Sequence, residues 1–229
     1  MDDHAMPELT LADWRRRVAA LYVDVRRLLP RDPDGALALW RHGREALYRH
    51  HPQSPVAPGA RAGFRALHFP IDASLRFEVE VEREARPPDE SAIAAVPAPG
   101  APGFTAPPLL LPVSGGGGAM GFRRIGFVTV PFAAGPRRLA VFWMEGYAGG
   151  LFLPFRDTTN GVETYAAGRY LLDGAKSADL GGDGKHGTLL LDFNFAYQPS
   201  CAFDPRWACP LAPPENWLDL PIRAGERIA

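Results

Sequence analysis

Residues 124–145 read Arg-Ile-Gly-Phe-Val-Thr-Val-Pro-Phe-Ala-Ala-Gly-Pro-Arg-Arg-Leu-Ala-Val-Phe-Trp-Met-Glu. Two runs rich in β-branched and aromatic residues, 124–132 and 137–145, flank a turn at Gly135-Pro136, which is the signature of a β-hairpin. Upstream, Leu75, Phe77, Val79 and Val81 alternate with Arg76, Glu78, Glu80 and Glu82, the period-two pattern of a half-buried antiparallel strand. Downstream, residues 151–155, 162–172 and 188–196 have strand character, and 217–222 fits a last edge strand. About seven strands then follow one another with no helical pattern between them, which excludes a parallel βαβ architecture.

The first 50 residues have a different period. Trp14, Val18, Leu21, Val25 and Leu28 recur at helical spacing behind a capping-box-like Thr10 and Asp13, and Pro30 and Pro33 stop the run. Asp34 is the expected cap of a second helix, which carries Leu39, Trp40, Gly43 and Leu47 and ends at His50-His51 before Pro52. The fold class expected is mainly β with an α+β arrangement: two N-terminal helices, then an antiparallel barrel or sandwich. Residues 1–52 form a helical segment packing on the core. Residues 53–229 form the β domain, with a Pro/Gly-rich loop at 85–121 that holds eight of the 24 prolines.

Composition narrows the function classes. With 46% hydrophobic residues the chain has material for a core, while 24 Gly and 24 Pro in 229 residues argue against a mostly helical protein. A net charge of −1 with no basic run points away from nucleic acid. The apolar runs are too short to span a bilayer, and the Met-Asp-Asp-His start has no export-signal pattern, so a cytoplasmic protein is expected. Gly115–Gly118 has no Lys-Ser/Thr after it and is read as a flexible turn rather than a phosphate loop.

Chemistry concentrates after Phe155. If 162–172 is extended, Glu163, Tyr165, Ala167 and Arg169 share one face; in 188–196, Asp192 and Asn194 share another. Pairing these segments across the loop 173–187, with Arg169 opposite Asp192, gathers a patch of Glu, Tyr, Arg, Asp and Asn. On that patch Glu163 or Asp192 is the candidate general acid or base, and Arg169 the clamp for a developing anion. Asp157 and Thr159 in the preceding turn, Tyr165 and Asn194 on the patch, and Tyr197 and Asn216 nearby are the candidate ligand-binding residues. Three readings stay open: a hydrolase-type enzyme using acid/base chemistry, a non-catalytic module holding a small molecule or a flavin-like cofactor, and a structural protein whose Arg–carboxylate network is buried. The partner expected is a small-molecule ligand, with no nucleic acid and no membrane; homo-oligomerisation is left open. No cofactor is identified and no metal site is expected. Cys201 and Cys209, eight positions apart, do not have zinc-knuckle spacing. A structural thiol pair, a disulfide or redox pair, a metal pair completed by His50, His51 or His186, and a nucleophile all stay open.

Three segments carry a resemblance: Phe-Arg-Asp-Thr-Thr-Asn-Gly-Val-Glu-Thr-Tyr-Ala-Ala-Gly-Arg-Tyr-Leu (155–171), Leu-Asp-Phe-Asn-Phe-Ala-Tyr-Gln-Pro-Ser-Cys-Ala-Phe (191–203) and Cys-Pro-Leu-Ala-Pro-Pro-Glu-Asn-Trp-Leu (209–218). Together they resemble the bacterial and archaeal family known as domain of unknown function 1684. Gln198 and Ala212 depart from its usual Asn and Pro. The resemblance implies no established reaction.

Overall fold

A computed structural model describes residues 6–83, 109–114, 118–146 and 149–228. Helix α1 spans Pro7–Leu28 and α2 spans Pro33–His50. Both begin on proline, whose missing N–H is no loss in a first turn. The helix starts differ from those expected. Thr10 lies inside α1, where its hydroxyl donates to the Pro7 carbonyl at 2.9 Å. Asp32, not Asp34, caps α2 by accepting the Gly35 N–H at 2.9 Å.

Among the described residues ten strands follow: β1 Leu67–His68, β2 Arg76–Arg83, β3 Leu109–Pro112, β4 Ala119–Val130, β5 Arg137–Met144, β6 Leu151–Phe155, β7 Arg169–Asp173, β8 Gly182–Asp183, β9 Thr188–Asp192 and β10 Glu226–Arg227. The main sheet runs β7-β6-β5-β4-β2-β9-β8 with β3 beside β4; β1 and β10 form a separate pair. Every pairing is antiparallel. Tyr170 on β7 also bridges Tyr197, just beyond β9, and this curls the sheet into a half-barrel. β2 is the shared element: Arg76 to Glu80 pair with β9, and Val81 to Arg83 pair with β4. The 124–145 hairpin is β4–β5, with a bulge between Arg124 and Gly126. Gly126 permits it, because a Cβ there would lie 2.4 Å from the Glu82 carbonyl oxygen.

Alternation along the strands produces two apolar faces. Ala140, Phe142, Phe152 and Tyr170 pack with Tyr22, Val25, Leu37 and Trp40 of the helices. Leu139, Val141, Leu153 and Phe155 pack with Phe193 and with Leu218, Ile222 and Ala224 of the C-terminal strap.

Three expectations need correction. Within 162–172 only Arg169 onward is strand, and β7 pairs with β6 rather than with 188–196. Side-chain bonds among Asp157, Thr159, Asn160 and Thr164 satisfy the backbone locally in turns instead. The loop expected at 85–121 lies largely outside the described residues, but its end is ordered: Leu109 to Pro112 pair with β4, and Val113 bridges Pro210. Residues 217–222 do not form an edge strand; Trp217 makes a single parallel bridge to Arg156, and the last strand is β10.

Candidate functional site

Because β7 and β9 are not neighbours, the residues expected on one patch are distributed over several places. Arg169 is 1% exposed at the start of β7. One terminal nitrogen (Nη2) donates to Asp157 Oδ2 at 2.6 Å and to the Ile222 carbonyl at 2.7 Å. The other (Nη1) donates to the Ala224 carbonyl and, at 3.1 Å, to the Glu226 carbonyl. Asp157 in turn accepts the Thr159 N–H at 2.7 Å and the Thr159 hydroxyl. Burial pulls the Arg169 guanidinium below its ordinary pKa, and the Asp157 charge opposes that pull. This is a clasp: it fastens the strap 222–226 to β7 and the turn before it.

Asp192 and Asn194 belong to a second assembly. Asp192 is fully buried and accepts Arg76 Nε at 2.6 Å, the partner directly across β2, and the Asn194 N–H at 2.9 Å. Asn194 closes a two-bond ring with the Asp72 backbone, accepting at 2.9 Å and donating at 2.8 Å. Glu163 lies on the surface in a bidentate pair with Arg223, whose hydrogen bonds hold its carboxyl below the usual range. Asn216, fully buried, acts as a surrogate peptide: it accepts the Ala140 N–H at 2.7 Å and donates to the carbonyls of Ala140 and Pro154. Pro154 has no N–H to offer β5, so an amide side chain fills the place of a missing ladder bond.

Tyr197 and Tyr165 are the expected residues that face the seam between helices and sheet. The Arg44 guanidinium of α2 sits 4.4 Å from the ring centres of both Tyr48 and Tyr197, and its Nε donates to Glu226 at 2.5 Å. The Tyr197 hydroxyl donates to Asp173 Oδ2 at 3.2 Å, which also holds the Lys176 ammonium at 2.7 Å. Burial drives the Tyr197 phenol well above its ordinary pKa.

Beside this seam lies the thiol pair. Cys201 is the middle residue of a short 3-10 turn, Ser200–Ala202, and Cys209 precedes Pro210. Both are free thiols. The Cys201 N–H donates to Cys209 Sγ at 3.3 Å, and the Cys209 N–H donates to Ser114 Oγ at 3.0 Å. The Ser114 hydroxyl donates to the Trp207 carbonyl at 2.9 Å. Interaction with Cys209 draws the Cys201 thiol below its ordinary pKa, against the opposing pull of burial. The same interaction, reinforced by burial, pushes Cys209 up. Tyr165, half-buried, also donates to the Cys201 carbonyl at 3.4 Å.

Ser114 is the member of this site that the sequence reading did not single out. It lies at the end of the stretch read as loop, and the apolar run Leu109 to Leu111 was its nearest signal. Among the described residues, no group of three or more His, Cys, Asp or Glu side chains could hold a metal ion. No helix among them is long and apolar enough to cross a membrane.

The model of a family described as protein of unknown function (DUF1684) matches residues 62–227, most of the chain and all ten strands. The solution NMR structure of an uncharacterised protein from gene locus rrnAC0354 of Haloarcula marismortui is 26% identical. That alignment covers 86% of this chain and 95% of that one, at a TM-score of 0.57. No curated protein matches.

Proposed function

The chain belongs to the DUF1684 family, and on that premise we propose that it is a small-molecule-handling protein whose reactive centre is the Cys201 thiol. The observation that carries this reading is the close approach of two free, buried cysteines: the Cys201 N–H donates to Cys209 Sγ at 3.3 Å, with Ser114 Oγ on the Cys209 N–H and the Tyr165 hydroxyl on the Cys201 carbonyl. The Cys209 interaction draws the Cys201 thiol toward its thiolate, the form in which sulfur is a nucleophile. Retention of both thiols suits the reducing cytoplasm that the composition suggests.

Acid/base hydrolysis by Glu163, Arg169 and Asp192 is the weaker reading. These groups do not share a cavity: Arg169 and Asp192 are buried and committed to separate networks, and Glu163 is on the surface with Arg223. Their arrangement supports a structural role for the Arg–carboxylate network beside a thiol-centred site.

Alkylation of the native protein by iodoacetamide across pH 5–9, with the labelled cysteine located by peptide mass, tests the proposal. Cys201 is expected to label with a midpoint below the value of about 8.5 for an ordinary thiol. In Cys209→Ala, which removes the S–H donor, the midpoint should rise. A midpoint at or above the ordinary value in the native protein refutes the thiol-centre reading.

A further inference from the structure

We propose that the cleft between the β1–β10 pair and residues 198–203 binds a small aromatic carboxylate that carries a hydrogen-bond donor. The site needs nothing from the Cys201 sulfur, and it stands or falls apart from the thiol-centre reading.

Three pieces of chain meet there: residues 64–67 leading into β1, residues 198–203 beyond β9, and residues 226–228 at β10. They border a cavity of about 240 Å³. That is just under the roughly 300–1,000 Å³ of sites for drug-sized ligands, so a single ring suits it better than a fused system. One wall is aromatic. Phe64 and Phe203, both half-buried, meet edge to face at 5.6 Å, and each packs on Tyr48, at 5.5 and 5.2 Å. This mutual packing holds the two rings in place, and half-buried Ile228 adds apolar surface beside them. A flat apolar body matches such a wall.

The polar groups select what the ring must carry. Alternation along β10 turns Glu226 inward and Arg227 outward. Both oxygens of Glu226 are committed: Oε1 accepts Arg44 Nε at 2.5 Å, and Oε2 accepts Arg44 Nη2 at 3.2 Å and the Gln198 N–H at 2.8 Å. The carboxylate at this cavity is therefore neutralised. Arg227 is not: among the described residues its guanidinium makes no hydrogen bond or ion pair, and the Phe69 ring, 5.9 Å away, is its nearest specific contact. Arg65, paired with Glu45 at 3.1 Å, adds a second guanidinium to the rim. A planar guanidinium with unused donors recognises a carboxylate through two parallel N–H···O bonds. Gln198 is 7% exposed; its Nε2 donates to the Arg227 carbonyl at 3.2 Å, while among the described residues its Oε1 accepts nothing. A hydroxyl or amine on the ligand supplies that missing donor. An aromatic wall, a free cation and a free acceptor together describe a hydroxy- or aminobenzoate.

The test titrates 4-hydroxybenzoate into the isotope-labelled full chain and follows amide shifts by NMR. Saturable binding is expected with a Kd of about 1 mM or tighter, a modest demand on about ten non-hydrogen atoms. The shifts should centre on residues 64–67, 198–203 and 226–228. Methyl 4-hydroxybenzoate, which lacks the charge, and benzoate, which lacks the donor, should each bind about fivefold more weakly. Arg227→Gln should abolish the preference for the acid over its ester, and Arg227→Lys, which keeps the charge without the fork, should restore part of it. Gln198→Met should abolish the preference for 4-hydroxybenzoate over benzoate. Thermal melts check that each variant is folded; if Gln198→Met is not, the ligand comparison on the wild-type protein tests the same acceptor. Absence of saturation up to about 10 mM overturns the proposal. So do equal affinities for acid and ester, or shifts centred elsewhere in the molecule. None of these outcomes alters what iodoacetamide labelling says of Cys201.

Discussion

Replacing Arg169 by Ala tests whether the Arg–carboxylate network is a clasp. The substitution removes a guanidinium that is 1% exposed and leaves the Asp157 carboxylate buried without its cation. It also strands the carbonyls of Ile222, Ala224 and Glu226. Removing one partner of a buried pair costs about 3–5 kcal/mol, because the charge left behind is uncompensated. The stranded carbonyls add to this in so far as water does not reach them. For a chain of this size, each kcal/mol lowers the melting temperature by roughly 2–4 °C, so a fall of roughly 6–20 °C is expected. Differential scanning calorimetry measures it. Hydrogen exchange should show residues 222–226 losing protection before the β4–β5 hairpin does. Replacing both partners, Arg169→Met with Asp157→Leu, should recover part of the loss, since no buried charge remains. If Arg169→Ala melts within about 1 kcal/mol of the wild type, the clasp is refuted, for a buried guanidinium with this set of partners cannot be so cheaply removed.

Other substitutions probe the remaining supports. Asn216→Ala should cost about 2–4 kcal/mol in urea unfolding, because both backbone groups of Ala140 lose their partner; an unchanged midpoint would show that β5 and β6 close the gap on their own. Gly225→Ala should be destabilising as well, since a Cβ at a φ of +76° would stand 2.4 Å from the Ala196 carbonyl oxygen; a thermal melt equal to wild type contradicts it. His68, half-buried, has its pKa lowered to about 4, chiefly by burial. The unfolded chain therefore binds a proton below about 6.5 that the folded chain refuses until about 4, and stability falls as pH drops through that window. His68→Gln should flatten the stability profile between those pH values, and an unchanged slope assigns the acid sensitivity elsewhere.

The main architecture is legible in the sequence because it rests on periodicity. Phe77, Val79 and Val81, and the hairpin of 124–145, declare strands by alternation, and Trp14 to Leu28 declare a helix by spacing. Pairing is not local information. Nothing between Arg169 and Asp192 says that β7 turns to β6 while β9 crosses to β2, yet that choice separates two residues that parity alone would place together. Residues 162–168 have strand character because Val162, Thr164 and Tyr165 favour extended backbone, and side-chain bonds from Asp157 and Asn160 in the preceding turn override that preference. The thiol pair was visible as two letters eight apart; its contact with Ser114 depends on β3, inside a stretch whose prolines suggested loop.

The shared strand β2 also orders assembly in time. The β4–β5 hairpin closes over a turn of about six residues, whereas Arg76 and Asp192 must meet across a separation of 116. The difference in loop-closure entropy is about 2.5 kcal/mol against the long pairing. The meander β4 to β7 can therefore nucleate alone, and β2 docks onto its edge before β9 has a template. In that sequence the curl of the sheet, and with it the approach of Tyr197 to Tyr170, is a late event. Cys201, four residues beyond Tyr197, takes up its place beside Cys209 only when the slow half of folding is over.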